Sequence, residues 1–136
     1  MVYVKKYLDQ VSKIANSIDQ DKIENMVNII VDTKEQNGRL FFIGVGGSAA
    51  NCSHAVNDFR KIGNIESYTP LDNIAEITAR TNDEGWNTIF APWLSLSKIC
   101  EKDCLFVFSV GGGNKEKNIS VAIIEALDLA IAKNAK

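Results

Sequence analysis

Gly44-Val45-Gly46-Gly47-Ser48 is a glycine-rich turn that leads into a helical pattern, and the pattern carries the only histidine of the chain, His54, with Asp58 four residues on. Two kinds of chemistry meet in those residues. Glycines let backbone N–H groups approach a ligand, and the first turn of a helix favours negative charge, so Gly46, Gly47 and Ser48 form a candidate cradle for a phosphate or carboxylate. An imidazole and a carboxylate one helical turn apart can hold a proton between them or share a metal ion. Asn51 lies near the same line one turn earlier. The apolar residues Cys52, Ala55, Val56, Phe59 and Ile62 define the core-facing stripe. His54 and Asp58 fall off that stripe, a placement that equally describes a solvated helix face. The spacing fits neither the dinucleotide fingerprint nor the phosphate loop that ends in lysine.

The elements that must position these groups are legible on both sides. Leu40-Phe41-Phe42-Ile43 reads as a buried parallel strand, and Ser48 is placed to cap the helix after the turn. A second unit of the same kind runs from Leu105-Phe106-Val107-Phe108 through Gly111, Gly112 and Gly113 into a helix with Ile119, Ala122, Ile123, Ala126, Leu127, Ala130 and Ile131. Ser109, Gly111, Gly112, Gly113 and Asn114 are its candidate anion-binding residues, acting largely through backbone N–H groups. Lys115 and Lys117, on the approach to that helix, have the wrong sign for its dipole unless an anion sits between them. Two such units place both loops at the C-terminal edge of a parallel sheet, where open α/β sheets bind ligands. The expected fold is therefore a three-layer α/β domain with strands near residues 40–44, 66–69 and 104–109, helices on both faces and right-handed crossovers.

Residues 1–38 carry two amphipathic patterns, Val4, Leu8, Val11, Ile14 and Ile18, then Ile23, Met26, Val27, Ile30 and Val31. Asp21 with Glu24 resembles a capping box, and Gly38 is expected to end the second helix. In the middle, Asn73 to Arg80 has helical spacing, and Asp83 is placed either to bond a ligand hydroxyl or to cap the next helix. That helix is expected to run from Trp86 through Ile89, Phe90, Trp93 and Leu94, with the two tryptophans on one core or interface face.

Composition sets the outer bounds. At 136 residues, 46% hydrophobic and 24% charged, the chain has room for one domain with a real core. A net charge of -2 gives no general attraction to nucleic acid or an anionic membrane, so any bound anion is held by local groups. No run approaches the ~18 apolar residues of a membrane span. The three cysteines, Cys52, Cys100 and Cys104, form no metal-binding spacing and suit a reducing, cytoplasmic setting.

From Gly38 to about Ala132 the sequence resembles the sugar isomerase (SIS) domain, and within it the phosphoheptose isomerases, which convert sedoheptulose 7-phosphate to an aldoheptose phosphate. The resemblance rests on the strand before Gly44-Val45-Gly46-Gly47-Ser48, on His54 and Asp58 at their intervals from Ser48, on Asn82-Asp83-Glu84-Gly85-Trp86, and on Ser109-Val110-Gly111-Gly112-Gly113-Asn114. Val45 stands where the family usually has asparagine, Asp58 where it usually has glutamate, and Val110 with three glycines where its second loop is rich in serine and threonine.

The resemblance implies an SIS-type domain over 39–136. It implies Asp58 as catalytic base, His54 as its partner, and Gly46, Gly47, Ser48, Asn51, Asp83, Ser109 and the Gly111–Asn114 turn as substrate and phosphate contacts. No cofactor is required by this reading, although some members bind zinc through the positions of His54 and Asp58. It implies a homo-oligomer, a tetramer in the family, assembled through the N-terminal helices of 1–38. The family's chains continue beyond the position of Lys136, so the C-terminal part of the family fold is expected to be missing here and these residues alone are expected to be inactive. The serine-poor second loop also suits another function, a non-catalytic SIS module that senses a sugar phosphate or binds a protein.

Overall fold

All five residues of β1, Leu40–Gly44, are buried, as expected for a central strand covered on both faces. The structure is a computed structural model and describes residues 2–136. β1 pairs in parallel with β2, Ser67–Tyr68, on one side and with β3, Cys104–Phe108, on the other, giving the order β2-β1-β3. Its register with β3 runs from Leu40 opposite Cys104 to Gly44 opposite Phe108, so both strands end level at the same edge. On the outer side of β3, the backbone of Lys136 donates to the Asp103 carbonyl at 2.9 Å and accepts from the Leu105 N–H at 2.8 Å.

Alternation along β1 divides the core into two layers. Leu40 and Phe42 pack with Cys52 of α3 (Gly47–Lys61), and with Ile29 and Ile30 of α2 (Gln20–Glu35). Phe41 and Ile43 face the opposite way, onto Leu94 of α5 (Ala91–Leu96) and Ala122, Ile123 and Ala126 of α6 (Val121–Ala132). Burial at about 25 cal/mol per Å² makes each phenylalanine worth roughly 2–3 kcal/mol, before the entropy that folding costs. Phe42 also stacks on Phe59 at 5.4 Å, and Phe41 meets Trp93 edge-on at 5.6 Å. Burial pushes the Cys52 thiol up to about 11 and raises that of Cys104, as suits packed rather than reactive thiols.

One strong polar tie crosses the bottom of the sheet. Asp103, 1% exposed, accepts from the Arg39 backbone N–H at 2.9 Å, from Arg39 Nε at 3.1 Å, from an Arg39 terminal nitrogen at 2.7 Å and from the Cys100 N–H at 3.0 Å. Arg39 also donates to the Ser97 and Lys98 carbonyls, which fixes the loop before β3 to the start of β1.

Several local expectations are corrected. α2 is capped by Asp19, whose carboxylate accepts from the Lys22 N–H at 3.1 Å, not by the Asp21/Glu24 pair. It ends at Glu35, and Asn37 (φ 54) takes the left-handed turn. Gly38 is needed for a different reason: a Cβ there would run into the Lys102 carbonyl oxygen. The 86–94 segment is not one helix. It splits into a 3-10 turn at Trp86–Thr88 and α5, with Pro92 in the first turn of α5, where its missing N–H costs nothing.

α4, Ile74–Asp83, is capped by Asn73 and closes on Asp83, so Asp83 ends one helix and caps none. Ile62 leaves the core stripe and is 79% exposed. α1, Val2–Asn16, has no buried residue, and its apolar side chains, Val4, Tyr7, Leu8, Val11 and Ile14 among them, face outward.

Candidate active site at the edge between β1 and β3

The order β2-β1-β3 has a chemical consequence at its C-terminal edge. The chain leaves β1 through α3, packed on the Leu40/Phe42 face, and leaves β3 toward α6, packed on the Phe41/Ile43 face. The two glycine loops therefore leave neighbouring strand ends toward opposite faces, which puts the space between them at the position where open α/β sheets hold ligands.

In the first loop, Gly44 must be glycine because of close approach. A Cβ there would stand 2.8 Å from Ser48 Cβ and 3.0 Å from the Phe108 carbonyl oxygen. Gly46, at φ 64, makes the reversal into α3 and is its N-cap residue. No side chain caps this helix, so Ser48 lies inside the first turn and does not serve as the expected cap. The N–H groups at the start of α3 thus face no side-chain competitor for an anion.

Two turns along α3, His54 Nε2 lies 3.1 Å from Asp58 Oδ2. Asn57 Nδ2 donates to the other carboxylate oxygen, Asp58 Oδ1, also at 3.1 Å, so the carboxylate is oriented from two sides. The pair is open to solvent in the single chain, with side-chain exposures of 79% for His54 and 43% for Asp58. It can exchange protons with a ligand but adds little to stability. Asn51 is exposed on the same helix.

In the second loop, the Gly112 N–H donates to Ser109 Oγ at 3.0 Å. That contact occupies one of the expected backbone donors but leaves the Ser109 hydroxyl proton free to donate to an anion. Asn114 turns its side-chain oxygen to the Lys117 N–H at 2.8 Å, and its backbone pairs with Ile119 at 2.8 and 2.9 Å, closing residues 114–119 into a small loop of their own. α6 starts only at Val121, so Lys115 and Lys117 lie outside it. Lys115 Nζ folds onto Asp128 of α6 at 2.7 Å, with Glu125 at 3.5 Å, which satisfies its charge without a bound anion.

An open cleft of ≈ 440 Å³ lies beside these loops, lined by Val45, Glu84, Gly85, Trp86, Asn87, Asn118, Ser120 and Val121. None of the expected catalytic or phosphate residues is in that wall. Asp83 comes nearest in sequence, and its carboxylate accepts from Asn82 Nδ2 at 2.8 Å. Sequence reasoning missed Asn118 and Ser120, although an Asn-x-Ser stretch after a glycine turn is a cue for left-handed backbone.

His54 and Asp58 supply two donors where a catalytic zinc site takes three protein ligands. No cluster of three or more His, Cys, Asp and Glu side chains suited to a metal occurs among the described residues. His54 and Asp58 would thus supply at most two of a zinc ion's ligands. No helix among the described residues is long and apolar enough to cross a membrane.

Comparison with known proteins agrees with the fold. The chain is 26% identical over 132 residues to a phosphoheptose isomerase of Helicobacter pylori, a match covering 92% of this chain and 67% of that protein. It is 27% identical over 125 residues to one of Chlorobaculum tepidum, covering 87% of this chain and 56% of that protein. The chain thus spans between about half and two thirds of the length of these relatives. Among solved structures, a phosphoheptose isomerase from Francisella tularensis superposes over 98% of this chain and 67% of its own with a TM-score of 0.83 at 21% identity. One from Neisseria gonorrhoeae gives 0.80 at 18% identity, covering 98% of this chain and 68% of its own. At those identities the likeness is one of fold. The SIS domain family model matches residues 3–130, nearly the whole sequence, and the chain belongs to the SIS domain family.

Proposed function

We propose that the protein is an aldose–ketose isomerase of a phosphosugar, with sedoheptulose 7-phosphate as the leading substrate. The observation that carries this reading is the His54–Asp58 contact of 3.1 Å on a helix whose glycine N-terminus lies at the sheet edge between β1 and β3. The names of the relatives supply the substrate. The phosphate is held by the N–H groups at the start of α3, by Ser48 and by the Ser109 hydroxyl. The Asp58 carboxylate takes the proton from the carbon beside the ketone, and the electron pair moves to the carbonyl oxygen as an enediol forms. His54 passes a proton between the two oxygens. Asp58, open to exchange with solvent, then delivers a proton to the former carbonyl carbon to give the aldose, so atoms and charge balance without an external oxidant or reductant.

The reading requires Asp58→Asn, in the full natural chain, to lower turnover of sedoheptulose 7-phosphate by ~10² to 10⁴. The thermal midpoint should stay unchanged, because Asp58 is off the core stripe. Turnover within tenfold of the parent would remove Asp58 from this role, and the absence of turnover by the parent would favour a sensing or protein-binding module.

We further propose a homo-oligomer assembled through α1. Its support is that α1 buries none of its residues against its own chain, although it carries an apolar stripe from Val4 to Ile14. Light scattering should give at least a dimer, and Leu8→Lys with Val11→Lys should reduce it to a monomer.

A further inference from the structure

The ≈ 440 Å³ cleft combines apolar surface from Val45, Trp86 and Val121 with polar side chains from Glu84, Asn87, Asn118 and Ser120. Its size falls in the ~300–1,000 Å³ range of small-molecule sites, and it opens beside the first glycine loop through Val45. Trp86 is 42% exposed there, whereas the other tryptophan, Trp93, is spent on an edge contact with Phe41. An exposed indole over a cleft with amide and carboxylate groups around it matches a polyhydroxylated carbon chain. The C–H faces of such a chain lie on an aromatic ring while its hydroxyls exchange hydrogen bonds with amides and carboxylates.

The backbone along this wall is sharply turned. Asn118 (φ 51) and Ser120 (φ 49) are left-handed without being glycine, and Gly85 opposite them is at φ 93. Positive φ at a non-glycine residue costs of order 1 kcal/mol and persists where surrounding contacts hold it. Here the holding contacts are the paired backbone bonds between Asn114 and Ile119. They keep Asn118 in the wall of the cleft.

We infer that this cleft receives the hydroxylated carbon chain of the phosphosugar, with Trp86 as its stacking face and Asn118 as a hydroxyl partner, and that these two residues set which sugar is accepted. The inference rests on the isomerase reading for the class of ligand but not for the identity of the sugar. Neither residue moves a proton in the reaction; both act on binding.

The test is calorimetric titration of the full natural chain with inorganic phosphate and with the five-, six- and seven-carbon 2-ketose phosphates. The variants are Trp86→Leu and Asn118→Gly, the second chosen because glycine keeps the φ of 51 without strain. The parent should bind at least one of the sugars more tightly than inorganic phosphate. Each variant should lose roughly tenfold on that sugar, the scale of one aromatic contact or hydrogen bond, and change less than twofold on phosphate.

If the preferred sugar is not the seven-carbon one, the substrate under Proposed function is wrong while the cleft assignment stands. If the variants keep the parent's preference for sugar over phosphate, or the parent shows no such preference, the cleft assignment is overturned. Unfolding of either variant would show as parallel loss of phosphate binding, and Trp86→Phe, which keeps an aromatic face, should then retain binding within threefold; a larger loss would also overturn the inference.

Discussion

Replacing Gly44 by alanine tests whether the corner between β1 and α3 is as tight as the site requires. The added Cβ would lie 2.8 Å from Ser48 Cβ, 2.9 Å from the Ser48 carbonyl carbon and 3.0 Å from the Phe108 carbonyl oxygen, whereas ordinary contact begins at 3.4 Å. Relief needs a retreat of at least 0.6 Å at Ser48 (3.4 − 2.8) and 0.4 Å at Phe108 (3.4 − 3.0). Two of the three obstructing atoms are backbone, and α3 cannot slide freely because Cys52 on the same helix is fully buried against β1.

Overpacking of this kind costs about 1–3 kcal/mol, offset by about 0.4–1 kcal/mol because alanine restricts the unfolded chain. A net loss near 1–2 kcal/mol corresponds to a midpoint lowered by roughly 3–8 °C at this chain length. Thermal unfolding monitored by circular dichroism reads it, and a titration with inorganic phosphate should show weaker binding because Ser48 has been displaced. A midpoint equal to or above that of the parent would refute the argument, since it would mean that the first loop is not clamped between Ser48 and Phe108.

Two further perturbations probe the same geometry. Asp103→Ala strands the Arg39 guanidinium beneath the sheet and should cost about 3–5 kcal/mol in urea unfolding, the scale for breaking a buried pair from one side. Burial raises the Asp103 pKa, but bonds from Arg39 and from the backbone N–H groups of Arg39 and Cys100 outweigh it and hold the carboxyl below its ordinary range. A folded-state value below the unfolded one gives stability that is fully present above about pH 4 and is lost as pH falls through the lower value, so Asp103→Asn should flatten that acid limb. Gly112→Val, at φ 70, should strain the second loop, disturb the N–H that orients Ser109 Oγ and weaken inorganic phosphate by at least roughly tenfold; unchanged phosphate affinity would move the anion site away from this loop.

The parts of the fold and site that are legible in the sequence are those dictated by local periodicity. The run Leu40–Ile43 with glycine after it specifies a buried strand and a sharp exit, and the four-residue interval from His54 to Asp58 places two side chains together on any α-helix. The features that escape such a reading depend on distant partners or on conformations that compete locally. Arg39 and Asp103 are 64 positions apart, and neither has a neighbour in sequence that announces the other. Ser48 is a good cap by type, but Gly46 at φ 64 turns the chain early and takes the cap position for itself. The apolar spacing of Trp86, Ile89, Phe90, Trp93 and Leu94 suits one helix, yet Pro92, which has no N–H to bond the Thr88 carbonyl, divides it into a 3-10 turn and a short helix, and Trp86 lines the cleft. Lys115 has the type and place of an anion ligand, but Asp128, 13 residues on, lies within 2.7 Å and takes its charge.

The central claim, proton transfer through an enediol at the His54–Asp58 pair, is tested most directly by running the reaction in D₂O with the full natural chain and sedoheptulose 7-phosphate, and monitoring the sugar by proton and deuterium NMR. The account predicts aldoheptose phosphate carrying deuterium at the former carbonyl carbon, with washed-in label also appearing at C1 of recovered ketose, and both signals lost in Asp58→Asn. Product formed without deuterium, or label incorporated equally by parent and Asp58→Asn, would contradict it.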